Sequence, residues 1–373
     1  MTQKTWTQAE MEKRLVRYAD LKGLRNAFID ARTPGSDRKE NFTIIGPGVS
    51  ENPAQVVHIP EAHGFNVGAA RQPFGCTNSQ HSHLTAETFV VHTGKWRFVF
   101  GPDKDEGYID VEPGDVATVP THMFRGFEKL DEGTGFLFVV LGHDDPGKVV
   151  WAPSVFKMAE DYGLKLLKGG KLVDTTLGEK VPEGAELEQP PSVEVLKALA
   201  TPPMEELAKY AIKAADIKGD PNSPLSGEGV EEAGVIGDVD GQDGIKAGPI
   251  VGHWKHDFTL RRLKLETGAT IAAHARAEQE VIFVQSGTLE FTWDDGSLVI
   301  RVRDDGPGLP PEALEQVFEP FFRLESSRNP ATGGTGLGLA IARDIAQAHG
   351  GTLVLRNREP QGLEAILTLP RNA

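Results

Sequence analysis

Residues 75–94 read GCTNSQHSHLTAETFVVHTG. His81 and His83 are two apart, so on a strand both imidazoles leave the same face. Glu87 follows shortly after and can complete a set of two imidazoles and one carboxylate. Such a set suits Fe(II), Mn(II) or a similar divalent metal and leaves coordination positions open. The glycines at both ends permit the tight bends that bring neighbouring strands together.

Working outward, the chain from Asn41 to about Val150 is a run of short apolar segments broken by Gly, Pro and Asp. KWRFVFG puts Trp96, Phe98 and Phe100 on one face of a strand, and GTGFLFVVLG reads as another buried strand. Regular short strands of this kind predict a sandwich or barrel. Upstream, MTQKTWTQAEMEKRL reads as a helix capped by Thr7. Downstream, PSVEVLKALATPPMEELAKYAIKAA reads as two helices interrupted at Pro202-Pro203. GDPNSPLSGEGVEEAGVIGDVDGQDG reads as a linker or exposed loop, and strands are expected again from Gly252 to Trp293.

The spacing G-x5-H-x-H-x3-E-x6-G resembles the first signature motif of the cupin family at all five fixed positions. The resemblance implies a double-stranded β-helix, or jelly roll, with the metal inside its mouth. It also implies a fourth ligand, a histidine, after a proline turn. In EPGDVATVPTHMFRGFEKL that position holds Arg125, and His122 stands three residues early as an irregular candidate. A second copy of the spacing runs from Gly268 to Gly287, with His274 and Glu280 retained and Arg276 in place of the second histidine. The repeat predicts two barrels, a bicupin. Arg276 repels a cation, so His274 and Glu280 form at most a degenerate second site. The second barrel also stops early, before its own second motif. Bicupins that resemble this layout include ring-cleaving dioxygenases and oxalate-handling enzymes. The resemblance therefore implies a metal-dependent oxygenase acting on a small organic molecule. Arginines at two ligand positions keep a non-catalytic bicupin open.

After Leu298 the basic residues are eight Arg and no Lys, against twenty Lys and eleven Arg before it, a shift that suggests a change of origin. VRDDGPGLP carries Asp304, Gly306 and Gly308, and GGTGLGLAIAR carries Gly334, Gly336 and Gly338 ahead of a helix. Alternating glycines let backbone N–H groups close on phosphate oxygens, a helix N-terminus adds partial positive charge, and Asp304 can accept from an adenine amino group. PPEALEQVFEPFF places Leu314, Val317, Phe318 and Phe321 at helical spacing. GLGLAIARDIAQAHGG places Leu337, Ile341 and Ile345 on one stripe and stops at Gly350. GTLVLRNREPQGLEAILTLP predicts a hairpin turning near Pro360-Gln361-Gly362. TLEFTW, DDGS and LVIRVR together predict another.

The two glycine boxes resemble the ATP-binding domain of sensor histidine kinases, of the GHKL ATPase class, an α/β sandwich. That resemblance implies ATP with Mg²⁺ as ligand, Asp304, Gly306 and Gly308 at adenine, and Gly334, Gly336 and Gly338 at the phosphates. It also implies an asparagine-bearing helix before the first box and a phosphoacceptor histidine. Cupin-like strand sequence stands where the helix belongs, and His143 sits in a turn-like GHDDPGK, so kinase activity is not expected.

The expected layout is a helical segment at 1–40, a first cupin at 41–150, a helical and linker region at 151–245, a truncated second cupin at 246–297 and a partial ATPase-like domain at 298–373. The expectation is a composite of two pieces of different origin, joined by natural fusion, engineering or sequence assembly. A formal charge of −15 disfavours nucleic acid and anionic membranes as partners. No apolar run approaches a bilayer span, and Cys76 is the only cysteine, so no intrachain disulfide forms. The expectation is a cytoplasmic, metal-binding protein with a small-molecule substrate, as a homodimer.

Overall fold

The computed structural model describes residues 7–199, 201–237, 250, 256–272, 274, 279–292, 297–304, 306–324, 336–358 and 361–370. The chain divides into two compact units: residues 13–289, and the N-terminal helix together with residues from 290 onward.

The first unit is mainly β. In chain order its strands are β1 (Glu40–Ile45), β2 (Val57–Ile59), β3 (Phe65–Pro73), β4 (Thr77–Ser82), β5 (Glu87–Thr93), β6 (Trp96–Phe100) and β7 (Tyr108–Val111). There follow β8 (Val116–Val119), β9 (Arg125–Lys129), β10 (Thr134–Gly142) and β11 (Val150–Trp151). After them come β12 (Leu164–Leu166), β13 (Leu172–Asp174), β14 (Ala211–Ile212), β15 (Val230–Ile236) and β16 (Leu260–Leu265). One seven-stranded sheet runs β14-β8-β5-β10-β3-β1-β2 and a five-stranded sheet runs β11-β4-β9-β6-β7. From β3 to β11 the chain passes to the other sheet at every step except β6 to β7, as in a cupin-like jelly roll. Trp96, Phe98 and Phe100 are buried as their alternation predicts, and Phe89 meets Phe98 with ring centroids 4.5 Å apart. Each such ring contributes about 1.5–3 kcal/mol by leaving water.

Among the described residues before 290 the chain forms four α-helices. α1 (Gln8–Glu12) belongs with the C-terminal unit; α2 (Pro153–Asp161), α3 (Val193–Ala198) and α4 (Met204–Leu207) belong to the barrel unit. Thr7 caps α1 reciprocally: its Oγ1 accepts from Glu10 N at 3.3 Å, and its own N–H reaches Glu10 Oε2 at 2.9 Å. Pro202-Pro203 separates α3 from α4 as expected.

Within the stretch expected to form a truncated second barrel, the described residues carry one strand, β16. VEEAGVI, expected in a linker, is strand β15; it pairs antiparallel with β16 and packs its Val235 and Ile236 with Val116 of the barrel. Among the described residues from 266 to 292 no strand forms, so the described part of the second cupin spacing joins no ladder.

In the C-terminal unit, β17 (Ser297–Arg303), β18 (Thr352–Asn357) and β19 (Leu363–Pro370) form a sheet in the order β17-β19-β18, with helices α5 (Ala313–Gln316) and α6 (Gly338–Ala348). The β18–β19 hairpin is as predicted. The TLEFTW–LVIRVR hairpin is not: β17 pairs with β19 instead, and Thr288–Thr292 form no strand. Helix α6 buries Ala340 and Ala346, whereas Ile341 and Ile345 of the predicted stripe are exposed. Phe318 is buried but Phe321 is 71% exposed at positive φ, so the predicted apolar stripe of α5 ends before it.

Candidate metal centre

His81 lies near the end of β4, directly opposite Arg125 of β9 on one side and Trp151 of β11 on the other. Directly opposed residues share a face, so all three belong to one face of the five-stranded sheet. His83 follows two residues later, and its ring stands 5.1 Å from that of His81 at 81°. Glu87 opens β5 in the other sheet. Each of His81, His83 and Glu87 can offer one ligand atom such that all three atoms lie within 4.8 Å of one another, and all three residues are buried. Among the described residues this is the one such cluster.

The hydrogen bonds define which atoms are available. His81 Nδ1 bonds the Ser79 carbonyl at 2.7 Å, so Nδ1 carries the proton and Nε2 keeps its lone pair. His83 Nε2 stands 3.6 Å from Glu87 Oε1. Glu87 Oε2 accepts from Arg125 Nε at 2.9 Å and also from Arg125 Nη2. Burial, and then the Arg125 guanidinium, push both imidazoles well below the usual histidine range, which keeps them neutral. Burial raises the Glu87 carboxyl, and Arg125 opposes that shift.

Neutral imidazoles and a carboxylate oxygen left over by Arg125 form the N,N,O set that a divalent cation accepts, so these residues fit a metal. Arg125 works against it by adding a like charge and engaging half of the carboxylate. A cavity of about 70 Å³ opens beside the triad, lined by all three residues and by Phe28, Asn41, Gln55, Phe89, Leu141 and Trp151.

The other predicted residues are placed as follows. His122 is exposed at φ +64, its N–H donating to the His83 carbonyl at 2.8 Å, and it is not in the cluster. The fourth position belongs to Arg125, as counting from Pro120 requires. His274 is exposed with Nδ1 on the Ala272 carbonyl at 3.0 Å, and Glu280 pairs with Arg261 at 2.9 Å. Neither residue is in a metal-ligand cluster among the described residues, and Arg276 lies outside them.

Asp304 Oδ1 accepts from Gly306 N at 2.8 Å and Leu363 N at 3.2 Å, which closes the first glycine box as a turn. Gly308 has φ +72, and a Cβ there would meet Asn357 Oδ1 at 2.6 Å. Gly336 has φ +74 and its carbonyl accepts from Phe321 N at 3.0 Å; Gly338 begins α6. Gly334 lies outside the described residues.

Sequence reasoning missed Trp151, Asn41, Gln55 and Glu51. Glu51 accepts from Trp151 Nε1 at 2.6 Å and Ile29 N at 2.7 Å, and burial pushes its carboxyl up to about 8. None of the four carries a local signal: Asn41 and Trp151 are placed by strand pairing, Gln55 lies in the loop ahead of β2, and Glu51 reaches the site only through Trp151.

Residues 269–373 match the family described as Histidine kinase-, DNA gyrase B-, and HSP90-like ATPase. Over 80 residues the chain is 52% identical to sensor histidine kinase GtrS of Pseudomonas aeruginosa, covering 21% of this chain and 16% of that protein. Over 83 residues it is 40% identical to sensor histidine kinase WalK of Bacillus subtilis, covering 22% and 14%. The chain thus spans about one sixth of the length of these curated relatives. Among solved structures, the polyketide cyclase RemF from Streptomyces resistomycificus is similar with a TM-score of 0.28 and 21% identity, over 36% of this chain and 82% of that one. No helix among the described residues is long and apolar enough to cross a membrane.

Proposed function

We propose that the jelly roll holds one divalent cation, iron or manganese, through His81, His83 and Glu87, and that it acts on a small organic molecule admitted to the adjoining cavity, oxygenation included. The observation that carries this reading is the convergence of the three ligand atoms within 4.8 Å in a buried cluster. When bound, the cation supplies Lewis-acid and redox chemistry. The chain's own residues do the rest. Ser79 holds the proton on His81 Nδ1, which leaves Nε2 as the acceptor. Arg125 holds the Glu87 carboxylate by its Oε2. Trp151, its ring centroid 5.2 Å from that of His81, walls the site and excludes water. Metal analysis of the purified protein tests the reading. About one equivalent of Fe or Mn is expected in the parent and little in His81→Ala. Equal content in the two rejects the site.

A second reading concerns the C-terminal unit, where the family match and the two glycine boxes favour nucleotide binding. The described residues of 256–292, ahead of the first box, are strand β16 and irregular chain, with no helix to bring an asparagine to Mg²⁺. Weak ATP binding without phosphotransfer is the expected result. Titration with a fluorescent ATP analogue checks it, and no binding with or without Mg²⁺ dismisses it.

A further inference from the structure

Four amide side chains line the barrel cavity: Asn41, Gln55, Asn66 and Asn78. Two are matched by the scaffold. Asn66 Oδ1 accepts from Gly48 N at 2.8 Å while its Nδ2 donates to the His143 carbonyl at 2.7 Å, and Asn78 Oδ1 accepts from Lys39 Nζ at 2.6 Å. The other two each keep one unmatched atom, although Gln55 Nε2 donates to the Asn41 and Val56 carbonyls, both at 3.5 Å. Asn41, 8% exposed, has a buried Nδ2 with no hydrogen-bond partner, and Gln55 has a buried Oε1 in the same condition. One is a donor and the other an acceptor, and both belong to one cavity.

Buried polar atoms left unmatched are costly to a fold, and a binding cavity is where they are retained. The charge lining is also specific. The buried basic side chains Lys39, Arg125 and Lys129 are held by Asp30, Glu87 and Asp131, and none of the three lines the cavity. Beside Asn41 and Gln55, a carboxylate would find no lysine or arginine side chain among the described residues that line the cavity, and it would face the Gln55 oxygen with lone pairs on both sides.

From this pairing we infer that the cavity recognises an uncharged carboxamide-like group on its substrate. The ligand carbonyl accepts from Asn41 Nδ2, and the ligand N–H donates to Gln55 Oε1. Apolar walls from Phe28, Val49, Val149 and Leu141 cover its carbon skeleton. The inference rests on the reading of the barrel as a small-molecule site. It adds which end group is selected, and Asn41 and Gln55 are its specificity residues.

Ligand-observed NMR on the full chain tests it, with propionamide and isobutyramide against propionate and isobutyrate, in chelator-treated and Mn²⁺-loaded protein. In the chelator-treated protein each amide is expected to bind about tenfold or more tighter than its acid, and Asn41→Leu is expected to remove that preference. Asn41→Leu should keep the parent's metal content and unfold no earlier than the parent, because it removes an unmatched amide. Gln55→Leu, outside any strand, carries the same comparison should Asn41→Leu fold poorly. Equal binding of amide and acid, no binding of either, or a preference surviving both substitutions overturns the inference. Amide binding that depends on Asn41 in a protein taking up no metal would sink the metal reading alone. Metal uptake without amide preference would sink this one alone.

Discussion

Replacing Arg125 with histidine is expected to tighten binding of Mn²⁺ or Fe²⁺ by roughly a hundredfold or more. Two effects add. The substitution puts an imidazole at the strand position directly opposite His81, where a fourth ligand is within reach. It also removes a guanidinium beside the site. A unit charge about 5 Å from a dication at an effective dielectric of about 20 opposes it by roughly 6–7 kcal/mol. A third of that already exceeds a factor of ten, since about 1.4 kcal/mol is tenfold. The metal-free variant should be less stable than its parent, because Glu87 is then buried without its partner, a loss of about 3–5 kcal/mol. Metal should restore that stability by mass action, so the unfolding midpoint becomes strongly dependent on metal concentration. Calorimetric titration together with thermal melts over a metal series reads both effects. An affinity unchanged within about twofold would mean that Arg125 does not oppose the cation, and the geometry of the centre would need another account.

The legible part of this site was its local part. His81, His83 and Glu87 fall within seven residues, and strand periodicity alone puts the two rings on one face. The position of Arg125 could be counted, but its grip on Glu87 depends on β9 lying beside β4, which no local pattern encodes. Trp151 enters through a two-residue strand, β11, pairing with β4 across some seventy residues. What was not legible has the same root. A spacing such as Gly268–Gly287 fixes side-chain directions only once partner strands exist, and there no strand forms among the described residues. In α6 the helical period was right and the buried face was wrong. Periodicity gives the phase between Ile341 and Ile345, whereas the sheet present decides which side is covered. The small face of Ala340 and Ala346 packs instead.

The second large effect lies at the ion pair that fastens the segment preceding β1 to the strand of the metal site. Asp30 and Lys39 are both fully buried. Lys39 Nζ donates to both Asp30 oxygens at 2.5 Å and to Asn78 Oδ1 at 2.6 Å, and Asp30 Oδ2 also accepts from Ser79 N at 3.1 Å. Ser79 is the residue whose carbonyl fixes the His81 ring, so the pair reaches the centre through one residue of β4. Lys39→Met leaves a buried carboxylate with only the Ser79 N–H, and a loss of about 3–5 kcal/mol follows. In a unit of this size that lowers the thermal midpoint by roughly 10 °C. The double variant Asp30→Leu with Lys39→Met removes both charges and should recover most of the loss, because desolvating the pair offsets much of what its attraction gains. Denaturant melts of the two single variants and the double variant decide the matter. A double variant no more stable than Lys39→Met would show that the contacts of Asp30 and Lys39 to β4, rather than the balance of charge, hold the segment in place. In that case His81 should also loosen, and metal affinity would fall along with stability.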